Sequence, residues 1–191
     1  VVRSRGLGDV YKRQDYIYLD TDERRRFAQV SHEYLIEQVQ HETQSSTSAE
    51  LNFNHPVKEL IWTGAYDATT GLRTALNTGN FQLKLNGHDR FAERSCDYFT
   101  KTQVWQHHTG TPVVGAAAVT TAAIGTASAT DIAVYSFALK PEEHQPSGTC
   151  NFSRIDNAQL KTPNTNELNI YAVNYNVLRI MSGMGGLAYS N

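Results

Sequence analysis

Cysteine is scarce: Cys96 and Cys150 are the two in 191 residues. That is too few for the disulfide framework of a stapled secreted domain, so both read as free, buried thiols. A basic excess is missing as well. Lys and Arg number 17 against 19 Asp and Glu, a net charge of -2, which argues against a phosphate-tracking surface for nucleic acid. Long apolar runs are absent. The longest weakly polar stretch, VVGAAAVTTAAIGTASAT at 113–130, is broken by threonine and glycine and lacks the bulky side chains that drive membrane insertion. It reads as a low-complexity surface loop with a short strand inside. Long apolar stripes of helical period are scarce as well.

What remains is a chain of mean hydropathy -0.46, with 10 Tyr and 7 Phe and with Thr and Asn in its punctuation. A chain of this length buries roughly 70% of its unfolded surface as one domain. Aromatic and β-branched side chains suit a half-buried pleated surface, so the composition leans to β.

SRGLGDVYKRQ at 4–14 imitates a phosphate loop, with glycines followed by Lys12 and Arg13. Such a loop binds phosphate when a buried strand fixes it and a helix N-terminus receives the anion, and neither flank is present here. All eleven residues match the translation of a transposon adapter used in preparing sequencing libraries. Residues 1–14 are therefore expected to be adapter-derived and outside the fold, with the natural reading frame beginning upstream of Asp15. Four basic residues and Asp9 lie in this segment, so setting it aside leaves -5 on 15–191.

DYIYLD at 15–20 reads as a short strand. Asp20 caps a short helix through TDERRRFAQ that ends near Gln29, with Glu23, Arg24, Arg25 and Arg26 as a solvated face and Phe27 as its anchor. Strand character returns at 33–40 and again at 55–64, where Pro56 stands at the edge-tolerant start. FQLKLNG alternates cleanly, with Phe81, Leu83 and Leu85 on one face and Asn86-Gly87 supplying turn chemistry. Further strands are expected at 99–107, 132–141, 150–160 and 168–181, the last two separated by a turn at Pro163-Asn164. About eight strands with one early helix and long connections predict an all-β, antiparallel jelly-roll sandwich.

No constellation of catalytic type emerges. His88-Asp89-Arg90 and His107-His108 invite catalytic or metal readings, but adjacent residues of a strand point to opposite faces and no third group is supplied by spacing. Turn and interface packing explains them better. Glu142, Glu143 and His144 read as solvated loop charges in preference to a cation site. SGMGG at 182–186 lacks room for the helix that a nucleotide loop requires, so its glycines serve a bend at the end of the last strand. Asn151-Phe152-Ser153 is the single sequon and makes Asn151 a candidate glycosylation site.

Four strings carry a resemblance: DYIYLDTDERRRFAQVSHEYLIEQVQ, LNGHDRF, YSFALKPEEHQPSGTCNFSRIDNAQL and NYNVLRIMSGMGGLAYSN. Together they resemble the C-terminal half of the major capsid protein of nucleocytoplasmic large DNA viruses, across 15–191. The resemblance implies the second of two consecutive jelly rolls, in a virion shell protein assembled in the host cell. It implies homotrimers that pack as pseudo-hexagonal capsomers beside neighbouring capsomers in an icosahedral shell. It also implies no catalytic residue, no metal or other cofactor, no direct nucleic-acid contact and no membrane insertion. The first jelly roll is lacking and the 113–130 stretch departs from the family pattern, so trimerisation is expected of the full-length protein. LNIYAVNYNVLRI is expected to be core, locked between other strands. Two rival classes use the same fold. A carbohydrate-binding module would stack sugars on Tyr66, Tyr98 and Trp105, and a cupin-type metalloenzyme would need clustered histidines, whereas the seven here are scattered.

Overall fold

A computed structural model of the chain describes residues 16–67, 72–73, 76, 79–109, 132–163 and 166–189. The expectations for 1–14 and for 113–130 lie outside the described residues. In chain order the elements are α1 (Thr21–Gln29), β1 (His32–Gln44), β2 (Ser48–Glu50), β3 (Pro56–Gly64), β4 (Tyr66–Asp67), β5 (Leu72–Arg73), β6 (Asn80–Leu85), β7 (His88–Asp89) and β8 (Arg94–Ser95). A π-helical turn (Tyr98–Thr102) runs into α2 (Gln103–His107). Then come β9 (Ile132–Ser136), β10 (Cys150–Asn151), a 3-10 turn (Phe152–Arg154), β11 (Ala158–Lys161), β12 (Leu168–Met181) and β13 (Met184–Leu187).

Two compact units are distinguished. The smaller combines the described residues up to Tyr34 with Leu178–Ala188. Asp20 accepts a hydrogen bond from the Thr21 amide and starts α1, which is exposed except for the half-buried Phe27. Phe27 packs on His32 at a centroid distance of 4.7 Å, and Arg179 pairs with Glu33 at 2.6 Å. Ser182 and Gly183 both take positive φ, the requirement of a two-residue turn that matches strand twist, and so join β12 to β13.

The larger unit, Leu35–Val177 with Tyr189, is a two-sheet sandwich. One sheet runs β1-β12-β3-β10 with β9 also on β3; the other runs β2-β11-β6-β7 with β8 also on β6. Every registered pair is antiparallel, as a jelly roll requires. The core lies between the sheets, where Trp62 meets Phe81 at 5.5 Å and Phe99 at 5.2 Å. Rings of this size each remove roughly 150–250 Å² from water, worth about 4–6 kcal/mol gross at ~25 cal/mol per Å². β12 is held between β1 and β3, and its Leu168, Ile170 and Ala172 are buried. Its buried asparagines are anchored through their NH2 groups, while Asn174 Oδ1 has no hydrogen-bond partner among the described residues. Asn174 donates to Gln40 and to the Asn54 carbonyl, and Asn176 donates to Gln38 and to the Tyr189 carbonyl.

Four sequence expectations need correction. Residues 16–20 form no strand; Ile17 and Tyr18 stand almost fully exposed, and no partner strand lies beside them among the described residues. Residues 99–107 are helical. Phe99, Thr100 and Gln103 form one buried face, and the Thr100 hydroxyl donates back to the Cys96 carbonyl, so packing at helical spacing overrides β propensity. The strand expected over 132–141 stops at Ser136, because the amides of Phe137 and Ala138 both turn to the Lys58 carbonyl. The segment 150–160 is two strands in different sheets. Asn151 accepts from the Ser153 amide and turns the chain into the 3-10 helix that carries it from β3 across to β6. With these short pieces the sheets hold more strands than the eight expected.

Candidate functional site

The densest set of charged side chains lies on the face of the first sheet that looks away from the core, and an irregularity in β3 creates it. Val57 pairs with Asn174 and Glu59 with Val173, so Lys58 is one extra residue on its strand. Such a bulge breaks the two-residue alternation. Val57, Leu60 and Trp62 all reach the core, while the consecutive Lys58 and Glu59 both turn outward, and both are nonetheless buried.

Lys58 Nζ lies 2.7 Å from Glu37 Oε1 on β1 and 5.6 Å from the centre of the Tyr175 ring on β12. Glu59 Oε2 lies 3.0 Å from His108 Nε2, just past the end of α2. The opposite ring nitrogen, Nδ1, lies 3.2 Å from Glu142 Oε1. Glu142 also accepts from the Thr109 amide at 2.8 Å and the Thr109 hydroxyl at 2.6 Å. His144 Nδ1 stands 3.6 Å from Glu37. Burial pushes the Glu59 carboxyl above the ordinary carboxylate value, and the nearby His108 and Lys58 only partly offset it. The hydrogen bonds from Thr109 hold Glu142 below that value.

The connection that carries Glu142, residues 137–148, is closed at its base. Gly148 passes so near the Phe137 carbonyl that a Cβ there would sit 2.7 Å from its oxygen. Ser147 Oγ accepts from the Lys140 amide, and Pro141 is fully buried.

The residues singled out from sequence separate into different places. His107 and His108 are not on a strand; His107 turns to the Leu139 carbonyl while His108 enters the charged cluster. Glu142 and His144 join that cluster through different partners, whereas Glu143 pairs with Lys140 inside the loop. His88 and Asp89 are exposed beside the Asn86-Gly87 turn, with Asp89 paired to Lys84 at 3.2 Å. Among the described residues no three His, Cys, Asp or Glu side chains gather so as to hold a metal ion. No helix there is long and apolar enough to cross a membrane. Cys96 and Cys150 are free thiols, and burial pushes Cys96 up to about 11, which keeps it protonated and unreactive near neutrality.

The sugar-stacking set does not assemble into a platform. Trp105 is exposed, but Arg94 covers the Tyr98 ring at 4.6 Å, and the Tyr66 side chain lies outside the described residues. Asn151 is exposed, with its amide oxygen engaged by the Ser153 amide. Sequence reasoning missed Glu37, Lys58 and Glu59. Their signal was a Lys-Glu pair interrupting the apolar run of HPVKELIWTG, a pairing that an uninterrupted buried strand would not carry.

Comparison with known proteins agrees with this architecture. Residues 23–186 match the family described as large eukaryotic DNA virus major capsid protein. The major capsid protein of Pyramimonas orientalis virus is 55% identical across 93% of this chain and 48% of its own length. That of Paramecium bursaria Chlorella virus 1 is 41% identical across 93% of this chain and 53% of its own length. The solved PBCV-1 virus capsid superposes with a TM-score of 0.66 at 38% identity, covering 92% of this chain and 56% of that one. The chain spans about half the length of the relatives it matches. With sheets, core and sequence matching along the same stretch, the chain belongs to the major capsid protein family of large eukaryotic DNA viruses.

Proposed function

We propose that this chain is one jelly-roll unit, the C-terminal one of two, in a non-enzymatic structural protein of an icosahedral virion shell. The observation that carries the reading is the family match over 23–186, joined to 38% identity with a solved capsid structure of the same fold. The physics is compatible. Two sheets packed on a ring-filled core make a stiff block, and its long connections vary without disturbing that core. Assembly proceeds through homotrimers that form pseudo-hexagonal capsomers, for which the full-length protein is required. Electron microscopy of the product of the uninterrupted reading frame tests this. Three-fold particles of pseudo-hexagonal outline are expected, and a product that stays monomeric at high concentration overturns the assembly.

Residues 1–14 belong to this proposal as an adapter-derived addition. A chain starting at Asp15 is expected to melt at the same temperature as the full one, and a lower melting temperature rejects that reading. Asn151 is an acceptor only if intact mass of virion-derived protein exceeds that of the bare chain.

A further inference from the structure

Met181 and Met184 are the two methionines of the chain. The fold sets them opposite one another. β12 ends at Met181, Ser182 and Gly183 turn with positive φ, and β13 begins at Met184, so the two are registered partners at the tip of the hairpin. Directly opposed residues of an antiparallel pair send their side chains to the same face, with Cβ atoms roughly 4.5–5.5 Å apart. Both thioethers therefore stand on one side of the tip.

That side is open. Met181 is 51% exposed and Met184 75%. The next pair on the same face is Arg179 with Gly186. Gly186 brings no side chain, and a Cβ there would meet nothing within 4 Å. Arg179 is engaged by Glu33 at 2.6 Å. The other two sulfurs of the chain are placed in the contrary way. Cys96 is buried and Cys150 half-buried, both as free thiols. Burial raises both, Cys96 to about 11. A thiol attacks an oxidant as its thiolate, so covering it and raising its pKa both slow it. A thioether keeps its nucleophilic lone pair at every pH and needs only access.

We propose that the tip of the β12–β13 hairpin is the oxidant-responsive site of this chain: a peroxide converts Met181 and Met184 to sulfoxides, and an apolar tip becomes a polar one while the two thiols stay reduced. A lone pair of each sulfur attacks one peroxide oxygen, an S–O bond forms and the O–O bond breaks. The proton on the transferred oxygen passes to the departing oxygen. Each sulfur is oxidised by two electrons, and hydrogen peroxide is reduced to water or an organic hydroperoxide to its alcohol. A methionine sulfoxide reductase reverses the change, so the tip can be switched both ways. The turn itself is made by Ser182 and Gly183, whose backbone takes no part in the chemistry. This is a property of the hairpin and stands apart from the role of the chain in a shell.

The test is treatment of this chain with hydrogen peroxide at neutral pH, followed over time by peptide-mapping mass spectrometry. One oxygen is expected on each of Met181 and Met184, at a rate that unfolding in urea raises by no more than about twofold, because both sulfurs already meet water. Cys96 and Cys150 should oxidise at least about tenfold more slowly in the folded chain and stay open to alkylation once it is unfolded. On a hydrophobic-interaction column the oxidised chain should elute earlier, and a methionine sulfoxide reductase should restore both mass and retention. A double variant, Met181→Leu with Met184→Leu, keeps the apolar bulk and should hold its retention after peroxide. Thiol oxidation that keeps pace with the thioethers, methionines that react only after unfolding, or retention that does not change on oxidation overturns the proposal. If the double variant does not fold, the peptide map and the retention of the unmodified chain decide the matter.

Discussion

Lys58 Nζ sits 2.7 Å from Glu37 Oε1, with the lysine side chain only 4% exposed and the glutamate 33% exposed. The two partners are thus unequal. Removing Glu37 strands an ammonium that water cannot reach, whereas removing the Lys58 charge leaves the Glu37 carboxylate, which water can solvate, and the buried Glu59 carboxyl, which can take up a proton. Glu37→Gln is expected to cost about 2–3 kcal/mol, and Lys58→Met, which still packs on Tyr175, about 1 kcal/mol or less. Urea denaturation of both variants checks the order, and a Lys58→Met chain less stable than Glu37→Gln refutes the account.

Phe99 makes ring contacts with Trp62, Phe81, Phe91, Tyr98 and Tyr135 and has no exposed surface. Truncating it opens a cavity lined by rigid rings that relax poorly. Phe99→Ala should lose about 3–5 kcal/mol. Trp105, on the same helical segment but exposed, should change stability by no more than about 0.5 kcal/mol on replacement by Ala. Comparable losses in the two variants would mean that the helical assignment of 99–107 is wrong.

That pair also shows what was legible in the sequence and what was not. Phe81, Leu83 and Leu85 alternate as a strand because one face is core, and Asn86-Gly87 supplies the positive φ values of a tight turn; both features are local. β12 was readable for the same reason, its alternation persisting from Leu168 to Ala172. Tyr98, Phe99 and Trp105 carry strand-favouring side chains into a helical segment because a non-local ring cluster must be filled, and no local preference encodes that. The charged cluster was hidden more deeply. It needs a bulge at Lys58, a helix end at His108 and a loop returning at Glu142, three events distant in the chain that meet only after the sheet has formed.

Gly79 and Gly87 both have positive φ, yet their surroundings differ. A Cβ on Gly87 meets nothing within 4 Å, whereas one on Gly79 would collide with Pro163 Cβ. Gly87→Ala therefore carries the backbone penalty alone, about 1 kcal/mol. Gly79→Ala adds a collision with a rigid pyrrolidine and should destabilise by several-fold more, visible as a larger drop in melting temperature. Equal drops would show that the chain at Pro163 yields freely.

Glu59 and Glu142 flank the same ring and should respond to pH in opposite directions. Burial raises Glu59, so the folded chain binds its proton more tightly than the unfolded one. Its contribution to stability is full below the unfolded carboxylate range, ~4.3, and is lost as pH rises through the raised value. Thr109 lowers Glu142, so its contribution is present above that range and lost as pH falls through the lowered value. Glu59→Gln should accordingly gain on the parent chain as pH climbs from about 4 to 7, while Glu142→Gln should lose ground on going from about 3 to 5. Denaturation midpoints measured across this range decide it. A Glu59→Gln difference that stays constant with pH would mean that the carboxyl is solvated in the folded chain.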